Sequence, residues 1–361
     1  MKKILIVLIT IATMLSYTLA PAASCDYQDN TYTLGNGTLE EYVDASGQII
    51  RYYEKTEQPT SSRNIFSLSS AQASGDSDTK ELLRLLGLRE SFVDELSQEQ
   101  LAMYANARSI SSITTYSVSD QNGNVMIIPE EIAIRNTSSS AKAPPTFPED
   151  FGDGYGDLDS EFGQYGDSYM SITYLVAELG NGRYNHSVNA TWLDEPMCKH
   201  RDIIGATVEN NLIISSSLAG WLKYDNFSYE TGKTTRETEV FSTDNFRLQN
   251  QNGWYGAGAI FQLPKDRTYI FWDSNGMPTL IYLNAYKKFE LHFQFESTVQ
   301  NSSQSSTFDS TASYDHATLI NDKKDMTLFS ANGKTYVGLN MANINVDRRR
   351  VDLPNELTYT P

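Results

Sequence analysis

The sequence predicts a mainly β protein, an antiparallel β-sandwich preceded by a small helical unit. Strict alternation of apolar and polar residues recurs after residue 168, most clearly in the run from Phe289 to Phe295. This period is typical of strands that bury one face. Asn-Gly pairs, which favour tight turns between antiparallel strands, recur in the same region. Leucines with helical spacing are concentrated at 82–88, so we expect the helical unit before the sandwich.

Residues 1–22 predict export. Lys2 and Lys3 precede an apolar run from Ile4 to Leu15, and Ala20-Pro21-Ala22 offers a small-residue cleavage site. This order is typical of a secretory signal peptide, and the apolar run is too short to span a bilayer. We therefore expect a secreted, extracellular protein without a transmembrane helix.

The two cysteines of the chain, Cys25 and Cys198, have three interpretations. Small residues precede Cys25, as in a lipoprotein signal, although Ala22 stands where a larger aliphatic residue is usual. Lipidation there would tether the protein to the cell envelope. An oxidising exterior equally permits a disulfide between the two residues, and the third interpretation is two free thiols.

The polar N-terminal segment, residues 23–77, contains one predicted strand pair. Leu39–Val43 and Ile49–Tyr53 flank a turn-rich connection of hairpin length. Residues Ser61–Ser77 are rich in Ser, Ala and Gly, a composition that predicts a flexible link.

Residues 78–135 predict the helical unit and a hairpin. The leucine-rich helix should end at Gly87, a residue suited to helix termination. Ser97 and Gln100 have the spacing of a capping box at the start of a further helix. Asn122-Gly123 predicts a hairpin turn after a strand. Residues 136–167 are predicted as a linker and an acidic glycine-rich loop, and residues 168–361 as the sandwich domain.

A short pattern resembles a known group of proteins. Leu85-Leu86-Gly87-Leu88, followed by Phe92-Val93, Leu96-Ser97, Leu101 and Tyr104, is similar to a helical segment of uncharacterised secreted proteins of Gram-positive bacteria. Ala190–Leu193 and Arg201–Gly205 echo the same group downstream. The resemblance implies export and a two-part build. It implies no activity, so no catalytic residue is transferred from it.

The charge balance excludes several partners. Lys and Arg total 28 against 45 Asp and Glu, which gives a formal charge of −17. Nucleic acid requires a basic face, and an anionic lipid surface also attracts cations. We therefore expect neither as a partner. Two cysteines and four histidines also argue against a Cys-rich or His-rich metal centre.

Calcium is the one cofactor that the sequence leaves open. Asp153, Asp157, Asp159 and Glu161 lie in a glycine-containing acidic segment. Calcium prefers several hard oxygen ligands, which these carboxylates could supply. Their spacing does not match the EF-hand loop, and a solvated connector is the alternative interpretation.

Aromatic residues suggest a ligand-binding surface. Trp254 and Tyr255 lie in a glycine-containing segment that could expose both rings. Exposed rings can stack on sugar rings, while amide side chains complete the hydrogen bonds. Trp192 alternates with Val188 and Ala190, so we expect it in the core instead.

These observations favour a secreted or envelope-associated binding protein without enzymatic activity. We expect a neutral glycan or another surface protein as its partner. One alternative is an extracellular glycan-acting hydrolase that uses carboxylates such as Asp194, Asp202 and Asp273. Another is a surface spacer without a ligand. The sequence predicts no oligomeric state.

Overall fold

The computed structural model describes residues 30–34, 36–56, 68–119, 124–138, 168–196, 199–272, 277–301, 303–317, 325–339, 346–353 and 357–359. Strands dominate these residues, and every strand pairing among them is antiparallel. The predicted class, mainly β with antiparallel sheets and a small helical unit, is therefore confirmed.

Among the described residues, the larger sheet, sheet A, has eleven strands in the order β1-β2-β3-β4-β6-β7-β14-β9-β10, with β5 beside β4 and β13 beside β14. The predicted N-terminal strand pair is confirmed, since β2 pairs with β3. Pairing continues through β4 into β6, so strands from both sides of the predicted linker share one sheet. The strands are β1 (Asn30–Leu34), β2 (Gly37–Val43), β3 (Ile49–Lys55), β4 (Ser109–Ser119), β5 (Val125–Ile128), β6 (Ser168–Gly180), β7 (Arg183–Trp192), β9 (Asn211–Ser228), β10 (Lys233–Val240), β13 (Arg267–Trp272) and β14 (Pro278–Val299).

The smaller sheet, sheet B, has five strands in the order β11-β12-β8-β16-β19. Two further described strand pairs, β17–β18 and β15–β20, are not hydrogen-bonded to either sheet. The strands are β8 (Arg201–Glu209), β11 (Phe246–Gln251), β12 (Trp254–Gln262), β15 (Ser306–Phe308), β16 (Ser310–Ala317), β17 (Met326–Ala331), β18 (Lys334–Leu339), β19 (Val346–Asp352) and β20 (Leu357–Tyr359).

The main core lies between the two sheets. Alternate side chains of β14 from Phe289 to Phe295 are fully buried there, opposite Ala206 and Tyr314 of sheet B. Trp192 belongs to the same core, as the sequence predicted. Burying large aromatic and aliphatic side chains is the main stabilising contribution of such a sandwich.

The Asn-Gly turns connect neighbouring strands as predicted. Asn181-Gly182, Asn252-Gly253 and Asn332-Gly333 have positive φ at both residues, which a two-residue hairpin turn of type I′ requires. The pairs at Asn122 and Asn275 lie outside the described residues.

The pair β17–β18 covers the outer face of sheet B. A second apolar cluster there joins Ile203 and Ile260 of the sheet to Leu328 and Val337 of the pair. Gly256 permits this approach, because a Cβ atom there would lie 2.5 Å from Leu328 Cδ2.

In the part of the chain that the structure describes, four helices accompany the sheets. They are α1 (Leu68–Leu85), α2 (Glu90–Val93), α3 (Gln98–Asn106) and α4 (Glu130–Ser138). Gly87 ends the first with φ +91°, and its N–H donates to Arg84 O while Leu88 N donates to Leu83 O, the pattern of a Schellman motif. The predicted flexible link at Ser61–Ser77 is wrong from Leu68 onward, where the chain is helical. Helix α4 continues through Asn136 to Ser138, into the segment predicted as a linker.

Helices α1, α2 and α3 pack on the outer face of sheet A. Leu83, Leu101 and Tyr104 of this helical unit are buried against Leu175 and Ala177 of β6. The fully buried apolar cluster between the helices and the sheet draws its strand residues from β2, β3, β4 and β6. The neighbouring strands β7, β14 and β9 present mostly polar side chains on this face, apart from Trp221 of β9, on which Phe92 of α2 stacks. The candidate site lies over these strands.

Candidate functional site

A cleft of about 430 Å³ lies between helix α3 and the polar part of sheet A. Most of its lining consists of uncharged polar side chains from four separate elements and their ends. These are Ser97, Gln100, Asn106, Asn185, Ser217 and Gln294. Because amides and hydroxyls both donate and accept hydrogen bonds, such a lining suits a ligand that carries many hydroxyl or amide groups.

Gln100 joins the helix to the floor of the cleft. Its Oε1 accepts from the N–H of Ser97 at 2.9 Å, and the Ser97 hydroxyl accepts from Gln100 N at 3.2 Å, which confirms the predicted capping box. Its Nε2 donates to Gln294 Oε1 at 3.0 Å. Gln100, which caps helix α3, therefore also holds this helix against β14, and the helix forms one wall of the cleft.

The floor continues as a chain of buried polar groups. His292 Nδ1 lies 2.7 Å from Asn189 Oδ1, and His292 Nε2 lies 3.2 Å from Gln294 Oε1. Burial lowers the pKa of His292 to about 4, so the ring is neutral at pH 7. Beside them, the Tyr104 hydroxyl donates to Asn185 Oδ1 at 3.1 Å. The floor is therefore polar but carries no charge from histidine.

Three charged residues line the cleft. Arg183 and Glu296 form an ion pair with each other, and the backbone N–H of Glu296 donates to Ser217 Oγ at 2.7 Å. Glu99 is exposed in the first turn of α3, where a carboxylate favours the helix dipole. Because the charges of Arg183 and Glu296 cancel, Glu99 carries the remaining charge of the lining. The cleft therefore attracts an ionic ligand only weakly.

An aromatic group adjoins the cleft. Trp221 of β9 stacks on Phe92 of α2 with ring centroids 5.1 Å apart, and His292 lies 5.5 Å from Trp221. Lys223 Nζ lies 4.9 Å from the Trp221 ring centroid and pairs with Glu95. These contacts fasten the end of the helical unit that lies beside the cleft.

The two aromatic residues predicted as a ligand surface lie elsewhere. Trp254 is only 7% exposed because it lies on the face of β12 that also carries Gly256, against which β17–β18 packs. Tyr255 points to the opposite face, is half-buried against the main core, and accepts from Gln300 Nε2 at 3.3 Å. The expected exposed pair of rings is therefore a wrong prediction, since neighbouring strand residues face opposite sides.

The carboxylates predicted for a hydrolase do not line this cleft. Asp202 is fully buried in sheet B, where it accepts from the Tyr314 hydroxyl and lies 2.8 Å from His316 Nδ1. Asp194 accepts from Tyr169 N at 2.8 Å. Asp273 lies outside the described residues.

The predicted calcium ligands Asp153, Asp157, Asp159 and Glu161 lie outside the described residues, as do Cys25 and Cys198. Among the residues that are described, no group of three or more His, Cys, Asp or Glu side chains could hold a metal ion. In the same part of the chain, no helix combines the length and apolar character of a membrane span.

Sequence reasoning missed the cleft because its residues are common polar types far apart in the chain. Asn185, Ser217 and Gln294 are brought together by the pairings of β14 with β7 and β9, and Gln100 reaches them from helix α3 by its hydrogen bond to Gln294. The one local signal was the capping box, which predicted the helix but not what it covers.

No protein-family model matches the chain, and a comparison with curated proteins finds no significant match. The resemblance to secreted proteins of Gram-positive bacteria therefore stays a prediction.

Proposed function

We propose that this protein is a secreted, non-enzymatic binding protein that takes a neutral glycan in the cleft beneath helix α3. The observation that carries the proposal is the lining of the cleft by amide and hydroxyl groups, with Arg183 and Glu296 paired to each other. Sugar hydroxyls donate and accept hydrogen bonds, as these side chains do. Export, expected from residues 1–22, would bring the cleft into contact with extracellular glycans.

The size of the cleft supports a small number of sugar units rather than a large surface contact. Its volume of about 430 Å³ falls within the range usual for small-ligand sites. Met103 and Leu179 add apolar surface to the lining, which can pack against the C–H faces of a sugar ring.

The proposal is tested by retention of the protein on insoluble cellulose, chitin and β-1,3-glucan. We expect retention on at least one matrix, and a five- to tenfold loss of affinity, roughly the value of one hydrogen bond, for Asn106→Ala and for Gln294→Ala. Gln300→Ala removes a similar amide from an exposed position outside the cleft and should leave affinity unchanged.

Two results would contradict the proposal. One is a wild-type protein that none of the three matrices retains. The other is retention that both cleft variants leave at the wild-type level. Release of reducing sugar from the bound matrix would instead support the hydrolase alternative.

A further inference from the structure

The floor of the cleft offers hydrogen-bond donors, because its amide oxygens are already bound by the protein. The backbone N–H of Ser97 donates to Gln100 Oε1 at 2.9 Å, and Gln100 Nε2 donates to Gln294 Oε1 at 3.0 Å. A backbone nitrogen can only donate, so the orientation of both amides follows from it. Among the described residues, Gln294 Nε2 has no acceptor. Its N–H groups are therefore available to a ligand.

Asn185 repeats this arrangement on the neighbouring strand. Its side chain is almost fully buried, and its Oδ1 accepts from the Tyr104 hydroxyl at 3.1 Å. Its Nδ2 has no acceptor in the part of the chain that the structure describes, although the residue lines the cleft. Glu296 is the cross-strand partner of Asn185, which makes Gln294 its diagonal neighbour, roughly 7 Å away. Both amide donors can therefore contact one sugar unit.

Helix α3 offers acceptors instead. Asn106 Nδ2 donates to Ala102 O at 2.7 Å, so that Oδ1 is the atom of this amide left for a ligand. Glu99 adds a carboxylate, which also accepts. Met103 of the same helix and Leu179 supply the apolar part of the lining. The cleft therefore combines a floor that donates, a wall that accepts and an apolar patch.

We propose that the cleft selects N-acetylated sugars, whose acetamido group lies between the floor and helix α3. This inference rests on the proposed function and names its ligand class. A trans secondary amide directs its C=O and N–H to opposite sides, so it can accept from Gln294 or Asn185 while it donates to Asn106. Its methyl group can pack against Met103 or Leu179. A hydroxyl in the same position supplies neither the opposed N–H nor the methyl group.

The test compares chitotriose with cellotriose by isothermal titration calorimetry. The two trisaccharides share their length and β-1,4 linkage, are both uncharged, and differ in whether each unit carries an acetamido or a hydroxyl group. We expect the wild-type protein to bind chitotriose at least tenfold more tightly. N-acetyl-trialanine amide, which carries the same amide groups without a sugar ring, should not bind measurably.

Gln294→Glu tests the donor of the floor. The variant keeps an oxygen that accepts from Gln100 and replaces the free NH₂ group with a second oxygen. It should weaken chitotriose binding at least tenfold, because a carboxylate repels the acetamido C=O. Cellotriose affinity should change less than twofold, since hydroxyls can donate to the carboxylate. Gln300→Glu makes the same change at an exposed position outside the cleft and should alter neither affinity.

The outcomes separate the two proposals. Equal affinity of the wild type for chitotriose and cellotriose would overturn this inference and leave the cleft proposal standing, as would retention on β-1,3-glucan alone. Wild-type chitotriose binding by a folded Gln294→Glu variant would overturn it as well. Peptide binding as tight as that of chitotriose would contradict both this inference and a glycan ligand. A wild type that binds no saccharide would also contradict both. Circular dichroism and thermal melting confirm that each variant is folded.

Discussion

At the scale of single residues, Asp315 has the most unusual environment among the described carboxylates. It is fully buried on β16, where its Oδ2 accepts from Leu339 N at 3.0 Å. Arg348 Nε lies 3.5 Å from the same oxygen. Burial nevertheless raises the pKa of Asp315 from its ordinary value of 3.8 to about 7, while Arg348 and Arg350 oppose this shift and Asp202 adds to it.

The raised pKa predicts a stability that falls with rising pH. The contribution of Asp315 is fully present below the pKa of the unfolded chain and is lost as the pH rises through about 7. Asp315→Asn keeps an acceptor for Leu339 N and cannot ionise. The melting temperature of the variant minus that of wild type should therefore increase by several degrees between about pH 4 and pH 8.

Differential scanning calorimetry at the two pH values measures this difference. Asp309→Asn, which removes a partly exposed carboxylate from the start of β16, is a control that should show little change with pH. A constant offset between Asp315→Asn and wild type would contradict the account of Asp315.

At the scale of elements, helix α3 shows how a local sequence signal supports the site. The Ser97–Gln100 capping box satisfies two backbone N–H groups at the start of the helix. The helix in turn holds Gln100 and Asn106 over β14. Loss of the cap should therefore weaken both the helix and the ligand site.

Ser97→Ala tests this link. We expect a loss of about 1 kcal/mol in the free energy of unfolding, the usual contribution of an N-cap hydroxyl, measured by urea denaturation. Ser46→Ala is the matched control, because the Ser46 hydroxyl donates to Asp44 in an exposed turn without capping a helix. Equal stability of Ser97→Ala and wild type would show that the cap does not hold α3.

The elements differ in how far the sequence could predict them. Alternation from Phe289 to Phe295 predicts β14 because one face of the strand is buried in the core. Residues 68–77 were mistaken for a flexible link, since Ser, Ala and Gly carry no apolar stripe of their own. There the helix extends from the leucine-rich end, where Leu82 and Leu83 are buried, and tertiary packing outweighs the local composition.

At the scale of the whole molecule, the described chain forms four layers. The helical unit, sheet A, sheet B and the β17–β18 pair follow one another, with a separate apolar cluster at each junction. The helical unit covers apolar residues on β6 and overhangs polar ones on β7 and β14. The cleft forms because the helices pack tightly on the apolar residues of β6 but not on the polar residues of β7 and β14 over which they extend.

The whole-molecule arrangement also sets the limit of sequence prediction. The class of fold follows from local periodicity, but the cleft follows from which strands become neighbours. Asn185, Gln294 and Ser217 meet because β14 lies between β7 and β9, and Gln100 joins them because α3 packs over these strands. Trp254 illustrates the same limit. The glycines near it are compatible either with an exposed ring or with a further layer packed on the strand. In the structure, β17–β18 packs on this face of β12 at Gly256.

The most direct test of the central claim is hydrogen–deuterium exchange with and without the trisaccharide of the retaining polymer. The account predicts slower exchange in residues 98–106 of α3 and 292–296 of β14 when ligand is added. Residues 246–251 of β11, an edge strand of sheet B, should not change. Protection confined to sheet B, or binding without protection in α3, would contradict a ligand site in the cleft.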